Sequence, residues 1–428
     1  MNYNEATSFL FNQLPMYQRE GKAAYKANLN NTIRLDNHLG NPHLKFKSIH
    51  VAGTNGKGSV SHMLAAVFQS AGYKTGLYTS PHLKSYRERI QINGKSIPEN
   101  EVVSFVESNK EIIQKISPSF FEMTVLMAFN YFAKQNIDVA IVEVGLGGRL
   151  DSTNIINPLL SVITNISLDH TQFLGNSLES IAQEKAGIIK PNIPVVIGQT
   201  QKETSEIFIS KAKENNSVIY FADKKYSTDY SLVDINRKQV FNIEKDNILV
   251  YENLVLDLAG KYQNKNLLTT LQSVELLKQE FDISKDNIYN GLKDTAKLTN
   301  IRGRWQTLGI NPLVIADTAH NYDGVTEVVK QITNTPYSEL HIVIGMVNDK
   351  NIDSILKLFP LDATYYFTKA NIPRALNEDI LSEKAKAFKL IGHTYSTVKL
   401  ALRAAKNNAK ENDLIFVGGS TFVVAEVL

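Results

Sequence analysis

His50-Val51-Ala52-Gly53-Thr54-Asn55-Gly56-Lys57-Gly58-Ser59-Val60 is the stretch on which the reading of this chain turns. An apolar run from Ile49 to Ala52 stops at glycine, turns tightly and reopens as a helix, with Val60, Met63, Leu64, Val67 and Phe68 spaced to share one face. A strand, a Gly-rich turn and a helix start aim several backbone N–H groups at one point. The helix dipole adds positive field there, and Lys57 adds a full charge. That arrangement suits a triphosphate. The spelling departs from the usual P-loop, in which Ser or Thr directly follows the lysine and holds Mg2+. Gly58 stands in that place, so a metal must draw its hydroxyl ligand from Ser59 or from another segment.

A chain of 428 residues exceeds what one ordinary core fills, so two domains are expected. Hydrophobic content of 43% with 21% charged residues is that of a soluble globular protein. No apolar stretch is long enough to cross a bilayer, and Met1-Asn2-Tyr3-Asn4-Glu5 does not open a secretory signal, so the expected location is cytoplasmic. The absence of cysteine excludes disulfides, thiolate metal sites and cysteine nucleophiles. A net charge of +3, with lysines scattered among acids, argues against nucleic acid and membrane surfaces as partners.

Residues 1–45 read as helical and polar, with Leu29 to Leu39 leading into a break at Gly40-Asn41-Pro42. Lys74 to Tyr78 is a short strand ending in Thr79-Ser80-Pro81-His82-Leu83. That ending is either a plain turn or a ligand edge, since open α/β sheets bind beyond the carboxyl ends of their strands. Phe121 to Ala133 has helical spacing. Ile137 to Val144 is almost wholly apolar and β-branched, the mark of a strand buried on both faces. Glu143 inside that run is costly to bury unless it pairs with a cation, such as Arg149, or binds a metal. A loop, Gly145-Leu146-Gly147-Gly148-Arg149-Leu150-Asp151, follows it. Leu159 to Ile166 is a further strand, and His170 lies beyond its end, on the same sheet edge as Ser80 and Glu143.

Ile181 to Pro191 reads as a helix closed by glycine and proline, on which Lys185 taken alone is a surface lysine. Residues 200–258 suggest mixed strands and hairpins. A helix then opens after Gly260 with Leu267, Leu271, Val274 and Leu277 on its apolar face. A joint near 297–311 precedes a fresh βαβ series, with strands at Leu313 to Ala316, Leu340 to Ile344, Thr364 to Phe367 and Leu414 to Val417. Its strand-end loops, Asp317-Thr318-Ala319-His320-Asn321 and Gly418-Gly419-Ser420, offer a second ligand edge.

Taken in order, these segments resemble the folylpolyglutamate synthase and dihydrofolate synthase family, part of the wider Mur ligase group. The agreeing blocks are His50 to Val60, Thr79 to Leu83, Glu143 to Asn154, Asp169-His170, Glu184 to Lys190, Gly303-Arg304 and Asp317 to Asn321. Gly345 to Lys350 and Gly419-Ser420 agree more weakly. The resemblance implies an α/β fold: a P-loop ATPase domain with a mainly parallel sheet over residues 1–298, and a smaller Rossmann-like C-terminal glutamate-ligase domain over 299–428. The site would lie between them, and the family favours a monomer. Thr54, Asn55, Gly56, Lys57, Gly58 and Ser59 would cradle the phosphates of ATP, and Asn266, Arg304 and Asp317 match the family's other ATP contacts. Ser80, Glu143 and His170 look like its Mg2+ ligands, one or two ions in all, so that Ser80 supplies the hydroxyl that Gly58 cannot. Lys185 matches a lysine carried as an N6-carboxylated carbamate, which turns an ammonium into a carboxylate able to serve a dication. Phe121, Asp151 and Ser152 fall where the family holds the pterin end, and His320 and Ser420 where it meets glutamate. One departure stands out: Thr318 occupies a place usually held by glycine.

The resemblance implies ATP-dependent joining of L-glutamate to the γ-carboxylate of a folate, or to dihydropteroate, through an acyl phosphate. Two anions meet in the first step, so cationic stabilisation is the dominant requirement. Lys57, Arg304 and metal at Glu143, His170 and Lys185 answer it, while Asp317, His320 and Ser420 of the second domain would meet the nucleotide and the incoming glutamate. Rival readings are a cell-wall Mur ligase, which should lack the Glu143 to Asn154 spelling, a small-molecule kinase, and a non-enzymatic nucleotide-binding switch.

Overall fold

The computed structural model describes residues 1–15, 28–235, 237–348 and 352–428. The polar N-terminal stretch forms helices at Tyr3–Gln13 and Asn30–His38. Residues 16–27 of it, and 349 and 350 of the weakly agreeing block Gly345 to Lys350, lie outside the described residues. The described chain forms two units: Met1–Asp257 with Gln263–Asn300, and Leu258–Tyr262 with Ile301–Leu428.

In the first unit the apolar runs become an eight-stranded sheet. Its strands are β1 (Lys47–Ala52), β2 (Thr75–Tyr78), β3 (Ile90–Ile92), β4 (Lys95–Ser96), β5 (Val139–Glu143), β6 (Leu160–Ile163), β7 (Val195–Ile197) and β8 (Ile219–Phe221). The order is β4-β3-β2-β5-β1-β6-β7-β8, and the six strands from β2 to β8 in that row run parallel. Every residue of β5 is buried, as a strand covered on both faces requires. Because β5 and β6 flank β1, the chain leaves β1 in one direction and later returns on its other side. That is a topological switch point, where open sheets leave a crevice at the strand ends.

The helix Lys57–Ser70 departs from its expected one-sided pattern. Every residue from Ser59 to Phe68 is buried, the polar Ser61 and His62 included. The sheet covers one side, and helices Gln263–Leu277, Lys285–Lys293 and Thr295–Thr299 cover the other. Val60, Met63, Leu64, Val67 and Phe68 are each fully buried, each worth about 1.5–3 kcal/mol of burial. Packing therefore fixes this helix, since Gly56 at its N-cap has no side chain with which to cap it.

Residues 200–258 hold two helices the sequence pattern hid, Ser205–Glu214 and the single turn Ala222–Lys225. The three-stranded antiparallel sheet of β9 (Tyr226–Val233), β10 (Gln239–Lys245) and β11 (Ile248–Leu256) follows them. The second unit carries β12 (Gln306–Gly309), β13 (Leu313–Ala316), β14 (Leu340–Ile344), β15 (Ala363–Thr368), β16 (Gly392–Tyr395) and β17 (Leu414–Gly418). Their order is β12-β13-β17-β14-β15-β16, parallel except for β12 at the edge. The segment Leu258–Tyr262 belongs to this unit because Gln331 holds it: Lys261 N donates to the Gln331 side chain at 2.8 Å, and Gln331 donates back to the Ala259 carbonyl at 3.2 Å. Among the described residues no helix is long and apolar enough to cross a membrane.

The close approach of Gly291 to the helix Lys57–Ser70 yields a test. A Cβ at Gly291 would lie 2.7 Å from the Val67 α-carbon and 2.9 Å from the Ala66 carbonyl carbon, both backbone atoms that cannot swing aside. Alanine favours a helix interior by about 1 kcal/mol over glycine, whereas overpacking costs about 1–3 kcal/mol. Gly291→Ala is therefore expected to lower stability in urea denaturation, and a gain would refute this packing.

Candidate active site

The Gly-rich turn owes its shape to two neighbours. Gly53 and Gly56 both have positive φ, and both are crowded: a Cβ would lie 1.9 Å from Thr164 Oγ1 at the first and 2.2 Å from Asn266 Oδ1 at the second. The segment just after β6 grips the turn. Thr54 N donates to the Asn165 carbonyl at 2.9 Å, and Asn55 N to the Asn165 side chain at 2.9 Å. The Thr54 hydroxyl donates to the Ser167 carbonyl at 3.2 Å, and Thr164 Oγ1 donates to the Asn55 carbonyl at 2.6 Å. Leu159 to Ile166 reads as strand in sequence, yet the strand stops at Ile163 because Thr164, Asn165 and Ser167 are spent on this turn. The sequence signal was there: a polar Thr-Asn closing an apolar run. Asn266 sits in the first turn of the helix Gln263–Leu277, donating to Gln263 at 2.7 Å, and Gln263 in turn donates to the Ser59 hydroxyl at 3.2 Å. The Ser59 hydroxyl thus faces Gln263, a residue the sequence reading passed over.

Two lysines converge on one oxygen. Lys57 Nζ donates to the Gly53 carbonyl at 3.0 Å and to the Thr54 carbonyl at 3.1 Å, and Lys185 Nζ donates to the same Gly53 carbonyl at 2.7 Å. Lys185 lies on the helix Leu178–Ala186 and is only 4% exposed, so the surface-lysine reading is corrected. Burial, and then the neighbouring Lys57 charge, lower its pKa to about 7, against the opposing pull of Asp169 and Asp151.

At the strand ends, Glu143 closes β5 and is buried, and Ser80 N donates to its Oε2 at 3.0 Å. Arg149 pairs with Glu184 at 2.8 Å. His170 follows β6 with a left-handed backbone and opens the short helix Thr171–Leu174. Asp151 is buried, and burial pushes its carboxyl up, while donations from Gly145 N, Leu146 N and Thr153 hold against that. The Phe121 ring and the Asp151 carboxylate flank Gly145, and Phe121 meets Tyr78 edge-on with ring centroids 6.3 Å apart. Ser152 is buried beside Asp151. The blocks Glu143 to Asn154 and Glu184 to Lys190 are knit together: Asn154 Nδ2 donates to the Arg149 and Gly187 carbonyls, and Lys190 to the Asn154 carbonyl at 2.8 Å. Arg89, absent from the sequence candidates, is buried near Glu143 and donates to His82 Nδ1 at 2.8 Å.

The second unit has its own strand-end cluster. Asp317 follows β13 and is buried; burial raises its pKa, while Tyr262 O–H, Ala319 N at 2.8 Å, Arg304 and Trp305 N at 2.7 Å stabilise the carboxylate. Thr318 keeps a negative φ, so its backbone does not require glycine. Its hydroxyl donates to the Gly303 carbonyl at 3.1 Å and accepts from Arg304. His320 Nδ1 lies 2.9 Å from the Thr318 carbonyl. Ser420 caps the helix Thr421–Ala425, its hydroxyl accepting from Phe422 N at 3.1 Å.

A switch-point sheet bearing the Gly-rich turn, followed by a smaller, mainly parallel sheet with Asp317 at a strand end, fits the two-domain α/β expectation drawn from the sequence. A family model for the Mur ligase middle domain matches residues 51–274, and one for the Mur ligase glutamate ligase domain matches 303–421. A dihydrofolate synthase/folylpolyglutamate synthase of Bacillus subtilis is 30% identical, with 99% of this chain and 98% of that protein covered. A probable bifunctional folylpolyglutamate synthase/dihydropteroate synthase of Haloferax volcanii is 32% identical over 100% of this chain, which spans only half of that protein's length. The solved structure of Escherichia coli FolC in complex with DHPP and ADP superposes with a TM-score of 0.86 at 30% identity, covering 100% of this chain and 97% of that one. The chain belongs to the folylpolyglutamate synthase/dihydrofolate synthase family.

One buried group beside this site yields a pH prediction. His50 Nε2 lies 2.9 Å from Thr153 Oγ1, whose own proton goes to Asp151, so Nε2 is the donor and the ring is neutral. Burial, with Lys190 nearby, lowers the His50 pKa to about 3 from 6.5. A depressed folded pKa gives stability that is complete above pH 6.5 and lost as pH falls towards 3. The loss has a slope of about 1.4 kcal/mol per unit. Urea midpoints of the wild type should therefore fall more steeply than those of His50→Gln between pH 6.5 and 4. Parallel curves would show that His50 is not buried neutral.

Proposed function

We propose that this chain is an ATP-dependent ligase that joins the amine of L-glutamate to the γ-carboxylate of a folate, with dihydropteroate as a second acceptor. The observation that carries the reading is the convergence of Lys57 and Lys185 on the Gly53 carbonyl beside an uncapped helix start. The Lys57 ammonium and the N–H groups of the uncapped helix start put positive field at one point, and a triphosphate suits that field. The acceptor carboxylate attacks the γ-phosphorus and ADP leaves. The glutamate amine then displaces phosphate from the acyl carbon and gives up one proton. Lys57 and the N–H groups of the turn bind and orient the phosphates, and Arg304 adds positive charge as the two anions approach. Asp151 and the Phe121 ring fit the pterin end, a polar edge beside an aromatic face. His320 and Ser420 are the proposed glutamate contacts, and the enzyme acts as a monomer.

The residues at the first sheet edge fit Mg2+ by their donor chemistry. Glu143 is a buried carboxylate, and Ser80 and His170 add a hydroxyl and an imidazole. These three would hold the ion, whose charge neutralises phosphate oxygens when bound. Lys185 is proposed to carry CO2 as a carbamate: its N–C bond forms with loss of one proton. A pKa of about 7 leaves roughly half of Lys185 as the required free amine at pH 7.

ADP release with ATP and Mg2+ is expected only when L-glutamate and a folate or dihydropteroate are both present. Release with acceptor alone would mark a kinase. Lys57→Ala, Glu143→Ala and His170→Ala should each lower turnover by about 10²–10³ or more with unchanged melting temperature. A near-normal rate in any of them would overturn that residue's role. Carbon-13 bicarbonate should give a carbamate resonance that Lys185→Arg abolishes, and its persistence would place the label elsewhere.

A further inference from the structure

The second unit carries a side-chain cluster at the opposite edge of its sheet from Asp317 and Ser420. Glu339 and His341 stand at the N-terminal end of β14, and Asp413 immediately precedes β17, the neighbouring strand. One ligand atom from each of the three lies within 4.8 Å of the others. Glu339 is exposed, whereas His341 and Asp413 are 2% and 1% exposed. His341 Nε2 is buried and lies 3.5 Å from Asp413 Oδ2, with which it pairs.

We propose that Glu339, His341 and Asp413 form a binding site for one divalent transition-metal ion of the zinc class. The second imidazole nitrogen is already fixed, as ligating histidines require: Nδ1 lies 3.1 Å from the Tyr366 hydroxyl, which accepts from Asn408 Nδ2 at 3.0 Å. In the tautomer with Nδ1–H donated to Tyr366, Nε2 is free of its proton and can ligate a cation that Asp413 Oδ2 also meets. Asp413 is held rigid by Glu339 N at 3.0 Å and Lys410 N at 2.6 Å. Metal–ligand bonds of about 2.0–2.2 Å separate neighbouring ligand atoms by roughly 3–4 Å, and the 3.5 Å between Nε2 and Oδ2 already meets this. One imidazole and two carboxylates suit a borderline dication and neutralise its charge. The cation now beside Glu339 is Lys410, its Nζ 3.6 Å from Oε1. A bound ion would tie the two chain segments entering β14 and β17.

The test uses the full chain, stripped with a chelator and kept in excess Mg2+, titrated with Zn2+ by calorimetry and with Co2+ by visible absorption. One equivalent is expected, with Co2+ bands of low-coordinate type and a raised melting temperature. Glu339→Gln and His341→Gln should each weaken Zn2+ binding tenfold or more, Tyr366→Phe about tenfold, and Lys410→Ala should tighten it. Glu143→Ala should leave this equivalent intact, which separates it from any ion at the proposed catalytic edge. Glutamate-dependent ADP release should be unchanged in Glu339→Gln. Failure of Zn2+ to bind, or binding indifferent to the surface change Glu339→Gln, would overturn the proposal. So would proton NMR showing His341 as an imidazolium that Zn2+ does not displace.

Discussion

The grip of the Thr164–Ser167 segment on the Gly53–Gly56 turn is the interaction the rest of the first unit depends on. Five hydrogen bonds join the two, through Thr54, Asn55, Thr164, Asn165 and Ser167. At about 0.5–1.5 kcal/mol each, they offset the entropy of ordering a short turn, which costs about 1–2 kcal/mol per residue. Neither side wins by a margin, so the turn is ordered only because β6 lies directly beside β1. Sheet order is thus a condition of the turn's geometry. A chain that placed β7 next to β1 would lose the preformed turn even with the same Gly-rich spelling.

The helix that follows imposes a second condition. An uncapped N-terminus leaves its N–H groups pointing at the turn, which is useful for an anion but gives the helix no stability of its own. Burial on every side supplies that stability, and the sheet can provide only one side. The chain must therefore return after Tyr262 to lay down the helices Gln263–Leu277 and Lys285–Lys293. The same return delivers Asn266 to Gly56 and Gln263 to Ser59. Packing and site construction are the same event here.

Most of the strands were legible because a parallel strand buried on both faces is an unbroken β-branched run; β5, β13, β14 and β17 fall where such runs stand. Strand-end placement of Ser80, Glu143, His170 and Asp317 followed from those runs. The all-round burial of Ser59–Phe68 was not legible, because periodicity reports which residues are apolar and not whether polar Ser61 and His62 are also covered. Lys185 misled for the same reason: a lysine's burial depends on a distant partner, here the Gly53 carbonyl. The excursion Leu258–Tyr262 and the helix Ser205–Glu214 were hidden because short amphipathic segments carry too few positions to fix a period.

Thr318 shows how a departure from a family's spelling can leave the fold alone and still alter chemistry. Glycine at such a turn is demanded by backbone only where φ is positive, and Thr318 is not in that region. What threonine adds is a hydroxyl that accepts from Arg304 and donates to the Gly303 carbonyl, beside the carboxylate of Asp317. If Arg304 is to meet a phosphate, that neutral acceptor competes with it. A single net hydrogen bond is worth about 0.5–1.5 kcal/mol, or roughly two- to tenfold in affinity. Such a competition would be too weak to abolish binding of a phosphate at Arg304 and large enough to tune it. Under the proposed function, Thr318 would be a resting partner that keeps the guanidinium oriented until a stronger, charged acceptor arrives.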